Sequence, residues 1–440
     1  MNSGSPPVQS IEVRYGRGFQ SVEVPLDNLG QILCTAETTP IHNPALVLSQ
    51  AVRSPISTRP LKELARGKHT CCILVSDQTR PVPNSVILPV LIDELNRGGI
   101  SNDAITLLIA NGTHDPVPET RFVNLLGEET MGAGVQIMNH SAYNYKDLVY
   151  LDDVICGTPV FVNSRYVSAD LKIVTGLVEP HFMAGYSGGR KSICPGIVGI
   201  DTLKTFHGTQ VLLHPKSRSC ALVDNPVNEI ACAVADLVGC DFMVNVTVNS
   251  NWGITGVYAG CLRDAHQRAC SAVSQSAQVC VAQRAPIVIT SGGGYPLDQS
   301  YYQTIKGMVE ALPALEKEGT LIIASQCSAG IGKDVFAELL EEFKYSSSNT
   351  FIAKYRKVKN FRSDQWQVIE LIKVLGHVGF VYLLSDLSPS EFELTQAEPI
   401  RSLEEGLRTS LKIHGGASPV HVIPEGPYVV PKTEPPDLAH

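Results

Sequence analysis

Four side chains in or near loops that follow predicted strands are of types that do chemistry: His114, His181, Lys191 and His207. Histidine titrates near neutrality and binds transition metals, and its imidazole suits nickel, copper, iron and zinc alike. A lysine amine can attach or contact a cofactor. Two of the four bracket the densest motif in the chain, His181-Phe182-Met183-Ala184-Gly185-Tyr186-Ser187-Gly188-Gly189-Arg190-Lys191-Ser192. Three readings of this segment compete. It ends in Lys191-Ser192 like a phosphate loop, but Arg190 stands where a Walker loop needs Gly; a looser Gly-rich anion cradle stays open. Gly185-Tyr186-Ser187-Gly188-Gly189 matches the G-x-S-x-G elbow of serine hydrolases, with Ser187 as nucleophile. An elbow needs a strand leading straight into the Ser, and residues 179–184, including Pro180, intervene. The third reading makes Lys191 the cofactor-contacting amine, flanked by His181 and His207. For His207, in Thr205-Phe206-His207-Gly208, a helix-capping role before Gly is the plainer alternative.

These groups need elements to position them. The apolar run Cys71-Cys72-Ile73-Leu74-Val75-Ser76 predicts a strand ending at Asp77, followed by a helix over 83–97 that stops at Gly98-Gly99, with Pro89 inside it. Further strands are predicted at 105–110, running into Asn111-Gly112-Thr113-His114, and at 171–178, running into Glu179-Pro180-His181. A second series covers 285–290, ending in Ser291-Gly292-Gly293-Gly294, then 320–325 and 378–384. Strands alternating with helices indicate a doubly wound α/β architecture. In such sheets ligands bind beyond the carboxyl ends of the strands, so the loops at 77–81, 111–114, 179–181 and 291–296 are expected to share one site. Taken singly, each loop reads more readily as ordinary turn chemistry, and that reading weakens when several carry His or Arg together.

Alternation of Ile11, Val13, Val22 and Val24 around Gly16-Arg17-Gly18 predicts an N-terminal hairpin. The expected organisation is two α/β domains with the active site in the interdomain cleft. Residues 1–280 form an N-terminal cofactor-binding domain and 281–415 a C-terminal domain. Residues 416–440, rich in Pro and Gly, form an extended tail packing back on the body.

The composition narrows the function class. Lys plus Arg number 35 against 43 Asp plus Glu, for a net charge of −8, which argues against a general nucleic-acid binder. No apolar stretch approaches the ~18–20 residues of a membrane span, and Met1 to Pro7 lack the pattern of a secretory signal. The 12 cysteines include no C-x-x-C, so a zinc knuckle or thioredoxin motif is not expected. Reduced thiols in a cytoplasmic enzyme are the expectation.

Asp77-Gln78-Thr79-Arg80-Pro81, Asn111-Gly112-Thr113-His114, the run from Glu179 to Gly196, His207, and Tyr295-Pro296-Leu297-Asp298-Gln299 followed by Gln303 and Lys306 occur together and in order. Over about residues 10–430 this pattern resembles the lactate racemase family, whose members use a nickel-pincer nucleotide. The resemblance implies a nickel-bearing pyridinium-3,5-bisthiocarboxylic acid mononucleotide tethered through Lys191. It implies His207 as a nickel ligand and His114 and His181 as acid and base on opposite faces of the substrate. Asp77, Gln78, Thr79, Arg80 and Pro195 would contact the cofactor. Arg80, Gln303 and Lys306 would take the substrate carboxylate and developing oxyanion.

The implied reaction is racemisation or epimerisation of a 2-hydroxy acid. The α-hydrogen leaves as hydride while a histidine takes the hydroxyl proton, and return to the other face inverts the centre. Met183, Tyr186, Tyr295 and Tyr302 are candidates to line the substrate pocket. The expected partners are a small 2-hydroxy acid and the enzymes that make the cofactor, with neither nucleic acid nor membrane. The alternatives are a related reaction on a larger hydroxy acid such as a sugar acid, a non-catalytic carrier of the nickel nucleotide, and a hydrolase using Ser187.

Overall fold

The structure, a computed structural model, describes residues 7–433. The chain divides into two compact units. One is Glu37–Gln275; the other joins the residues through Ala36 to those from Ser276 onward. Both are α/β.

The first unit is built on a six-stranded sheet in the order Ile254–Gly260, Phe242–Val248, Leu171–Leu177, Cys71–Ser76, Ile105–Ala110, Gln136–Asn139. All neighbours are parallel except the first pair. Parallel strands covered on both faces read as continuous apolar runs, and Cys71 to Val75 are all buried. The helix Asn84–Gly98 follows, carrying Pro89 within it and closing on Gly99 in the left-handed region. The chain leaves Cys71–Ser76 toward Ile105–Ala110 on one side and later returns to lay Leu171–Leu177 on the other. The loops after Cys71–Ser76 and Leu171–Leu177 therefore leave the sheet on either side of its topological switch point, where ligand crevices open in sheets of this kind.

The second unit has six parallel strands in the order Glu398–Pro399, Phe380–Leu384, Leu315–Ala324, Ala285–Ser291, Val420–Ile423, Leu29–Ile32. The hairpin Val8–Tyr15/Gly18–Pro25 packs Ile11, Val13, Val22 and Val24 against Ile287, Ile322 and Val420. Each buried valine contributes about 1.5–3 kcal/mol, which holds the N-terminal segment to this unit.

Two expectations are corrected here. Residues 7–36 do not belong with the domain that follows them in sequence. The segment from 416 is no simple tail: Val420–Ile423 is an interior strand, and Val430–Lys432 pairs with Gln278–Cys280. The burial of Val420, Val422 and Ile423 is the physical reason, and the surrounding Pro and Gly obscured it in the sequence. The last residues of the expected tail, 434–440, lie outside the described residues.

Candidate functional site

The turn after Cys71–Ser76 presents Asp77, which is 4% exposed. Its Oδ1 accepts hydrogen bonds from the Thr79 amide at 3.0 Å and the Thr79 hydroxyl at 2.5 Å. Its Oδ2 lies 2.6 Å from Nδ1 of His114. Burial pushes the Asp77 carboxyl up, but the hydrogen bond and charge of His114 and the two bonds from Thr79 outweigh it and hold the group below 3.8. An ionised carboxylate only accepts, so Nδ1 of His114 carries a proton and Nε2 is left as a bare acceptor. Half of the His114 side chain is exposed.

Arg80, three residues on, places Nη1 3.2 Å from Oε1 of Glu179. That pair ties the loop after Cys71–Ser76 to the loop after Leu171–Leu177. Gln78 is exposed, and its Oε1 accepts from Arg121 at 3.0 Å.

Beyond Glu179 the chain forms the short hairpin Pro180–His181/Gly185–Tyr186. His181 Nδ1 accepts the amides of Met183 and Ala184, each at 3.2 Å, and its Nε2 lies 2.6 Å from Nζ of Lys191. Lys191 sits in the 3-10 turn Gly189–Ser192. Gly189, at φ +53°, begins that turn, and its amide donates to Asn245 at 2.8 Å; an added Cβ would lie 2.5 Å from the ring of His266. The residue before the lysine, Arg190, is 3% exposed. It donates to Asn228 Oδ1 at 2.8 Å and to the Ala184 carbonyl at 2.7 Å, and its Nη1 lies 3.1 Å from His266 Nε2. Arg190 forms no ion pair among the described residues. Bonding Ala184, it clamps the hairpin that carries His181 onto the turn that carries Lys191.

His207 caps the helix Ile200–Phe206, its amide donating to Leu203 at 2.8 Å. The capping role expected from Gly208 is therefore present, and the half-buried side chain keeps its Nδ1 shielded from solvent. Burial first, then the charges of Lys191 and His114, push its imidazole down to about 3. A neutral imidazole is the form that binds a metal. The same influence places Lys191, His114 and His207 in one neighbourhood. Loop contacts agree: the Gly112 amide donates to Gly196 at 2.9 Å, and Pro195, a further candidate, turns its carbonyl toward Gly112.

Two readings of the Gly-rich segment are overturned. The Ser187 hydroxyl donates to the Leu177 carbonyl at 2.8 Å and accepts the Glu179 amide at 2.9 Å, and His266 meets only its backbone oxygen, so Ser187 is no nucleophile. The phosphate-loop reading fails because the Ser192 hydroxyl is spent on Thr175 at 3.1 Å. The amides of Ser187, Gly189, Lys191, Ile193 and Cys194 are likewise donated within the protein, so these five are not free to cradle an anion.

Met183 and Tyr186 are buried. Gln303 and Lys306 lie on the helix Tyr301–Ala311 of the second unit, and Gln303 buries its Oε1. In that unit Asp298 of the 295–299 motif accepts the Gly16 amide at 2.7 Å, anchoring the hairpin tip, and Tyr295 carries the Arg17 guanidinium 3.7 Å above its ring. Tyr302 bonds Trp366 at 2.7 Å. Arg190 and His266 were missed in the sequence. His266 stands far along the chain on the helix Leu262–Ala277, and only the requirement for Gly at 189 hints at a ring there.

Among the described residues no group of three or more His, Cys, Asp or Glu side chains converges to hold a metal ion. A metal at His207 would have to bring most of its ligands on an organic group. No helix among the described residues is long and apolar enough to cross a membrane.

The model of the lactate racemase N-terminal domain matches residues 15–220, and that of the C-terminal domain matches 280–430. The chain is 32% identical over 425 residues to the lactate racemase of Thermoanaerobacterium thermosaccharolyticum, covering 96% of this chain and 99% of the relative. It is 30% identical over 434 residues to that of Lactiplantibacillus plantarum, covering 96% and 100%. The structure of the lactate racemase apoprotein from the former organism superposes with a TM-score of 0.90 at 31% identity, covering 96% of this chain and all of that one. A Thermotoga maritima protein of 18% identity shares the fold at a TM-score of 0.65, with 88% and 97% covered.

Proposed function

Because this chain belongs to the lactate racemase family and is an isomerase, we propose that it interconverts the enantiomers of lactate or a closely similar 2-hydroxy acid, with His114 and His181 as the paired acid and base. The observation that carries this reading is the pair of imidazoles beyond the carboxyl ends of Ile105–Ala110 and Leu171–Leu177, the first bonded to Asp77 on the loop beside the switch point. One is oriented by Asp77 at 2.6 Å and the other is held 2.6 Å from Lys191. A carrier of a nickel nucleotide has no use for a carboxylate-oriented histidine, so the arrangement favours catalysis.

His114, its Nδ1 proton held by Asp77, offers Nε2 to the substrate hydroxyl proton. The charge that His114 gains is stabilised by the Asp77 carboxylate. Return of a proton to the oxygen for the opposite enantiomer falls to His181. Arg80, oriented by Glu179, supplies guanidinium donors for the substrate carboxylate. Gln303 and Lys306 carry donors suited to a carboxylate or oxyanion.

The residues fit a nickel-pincer nucleotide. His207 supplies one neutral imidazole with its Nδ1 shielded from solvent, and Lys191 supplies a tether. When bound, such a group accepts and returns the α-hydrogen as hydride. Asp77, Gln78, Thr79, Arg80 and Pro195 are the proposed cofactor neighbours. The enzymes that make the cofactor are the proposed partners, and the cytoplasm, where they would load it, the proposed location.

The test is to incubate the cofactor-loaded protein with enantiopure α-deuterated lactate and resolve the products by chiral chromatography and mass spectrometry. The expected result is the opposite enantiomer with its deuterium kept. Deuterium lost to solvent would sink the hydride route, and no inversion of any short 2-hydroxy acid would sink the function.

A further inference from the structure

The segment 181–191 carries two groups assigned to different tasks, one to proton transfer and one to cofactor attachment, yet they touch. His181 Nε2 and Lys191 Nζ are 2.6 Å apart. The other ring nitrogen, Nδ1, accepts two backbone amides, from Met183 and Ala184. A nitrogen accepting two N–H bonds carries no proton, so a neutral imidazole must hold its proton on Nε2. That proton points along the 2.6 Å line to Lys191. An ammonium has three donors and no lone pair, and cannot accept it; an amine can.

We infer that in the cofactor-free protein His181 acts as a positioning residue that holds Lys191 as an uncharged, nucleophilic amine by donating its Nε2 proton to Nζ. The neighbouring charges act in the same sense. The buried guanidinium of Arg190 is the adjacent residue. His114 and His207, on the loop after Ile105–Ala110 and at the end of Ile200–Phe206, are imidazoles and bring no negative charge. Cys194, four residues after Arg190, has its thiol pushed up by burial and offers no thiolate. A second cation beside Arg190 in this half-buried place would cost more than a neutral amine.

The purpose of this arrangement rests on the reading of Lys191 as the cofactor's tether, because an amine forms a bond to carbon only through its free lone pair. Its test does not. The full-length cofactor-free protein is labelled with trace acetic anhydride at pH 7 and pH 9, and each lysine peptide is quantified by mass spectrometry. Labelling forms an N–C bond, breaks one C–O bond of the anhydride, and releases acetate and the amine's proton. The ratio of rates at the two pH values cancels differences in access. A lysine protonated in the ordinary way rises ~100-fold over those two units. The exposed Lys68 and Lys216 serve as internal references, and Lys191 should rise less than about tenfold.

In His181→Gln, and in His181→Asn as a second variant, the Lys191 ratio should climb toward that of the surface lysines. A Lys191 ratio equal to theirs in the wild-type protein overturns the inference, whatever the variants do. A low wild-type ratio that both folded variants keep would remove His181 as its cause. If the tether reading alone is wrong, the low ratio persists while co-expression with the cofactor-making enzymes adds no mass to the Lys191 peptide.

Discussion

Asp77 and His114 form a buried-to-exposed dyad: a carboxylate 4% accessible holds, at 2.6 Å, the inner nitrogen of a ring whose side chain is half exposed. The contact decides which ring nitrogen is basic. It also couples the chemistry to acid stability, because the same carboxylate is held below its ordinary range.

Asp77→Asn should keep the fold and lose racemase rate by about 10²-fold, since the amide no longer selects the His114 tautomer. The variant also has an acid signature. A carboxyl depressed in the folded state stabilises the protein above its unfolded value, near 3.8, and that stability is lost as pH falls through the lower folded value. Melting temperatures below pH 4 should therefore fall less steeply in the variant. Equal slopes would mean that Asp77 is not held ionised by His114 and Thr79.

Replacing His207 by Ala should strip nickel from the loaded protein during gel filtration, read by elemental analysis, because one imidazole ligand is gone. His214, exposed and accepting the Lys216 amide at 3.3 Å, serves as the control. Equal metal loss from the two alanine variants would remove His207 from the metal site.

His114→Ala and His181→Ala should each reduce racemisation in both directions by about 10²–10⁴-fold, as every turnover needs both faces served. Thermal melts separate this from unfolding. A well-folded variant of either with near-normal rate would refute the pairing.

Gly189→Ala should destabilise the first unit, since the residue sits at φ +53° and its Cβ would lie 2.5 Å from the His266 ring. Overpacking of this kind costs about 1–3 kcal/mol, with about 1–2 kcal/mol more for the left-handed backbone. Urea titration measures the loss, and adding His266→Ala should recover the packing part of it. No loss on Gly189→Ala would mean that the turn before Lys191 is loosely held.

In the second unit, Glu370 is fully buried beside Lys373 at 2.8 Å. Burial pushes its carboxyl up to about 7, more than the Lys373 charge lowers it. A carboxyl raised in the folded state costs stability as pH rises from 4.5 toward 7. Glu370→Gln should thus melt higher than wild type at pH 8.5, with the gap closing at pH 5. A gap independent of pH would contradict the shift.

Much of this protein was settled by its sequence alone. Apolar runs such as Cys71 to Val75 can be satisfied only between two layers, so the parallel strands and the loops at their carboxyl ends were legible. So were the residues at those ends, Asp77, Arg80, His114 and His181, because polar side chains there have no packing duty. Tertiary structure decided the rest. Val420–Ile423 became an interior strand, and the N-terminal hairpin joined the distant C-terminal unit, because burial of valines depends on partners hundreds of positions away. Ser187 turned from a possible nucleophile into a backbone brace through one hydrogen bond to Leu177. The Arg190–His266 clamp and the proton shared by His181 and Lys191 exist only as distances, and no spacing along a chain states which lone pair faces which proton.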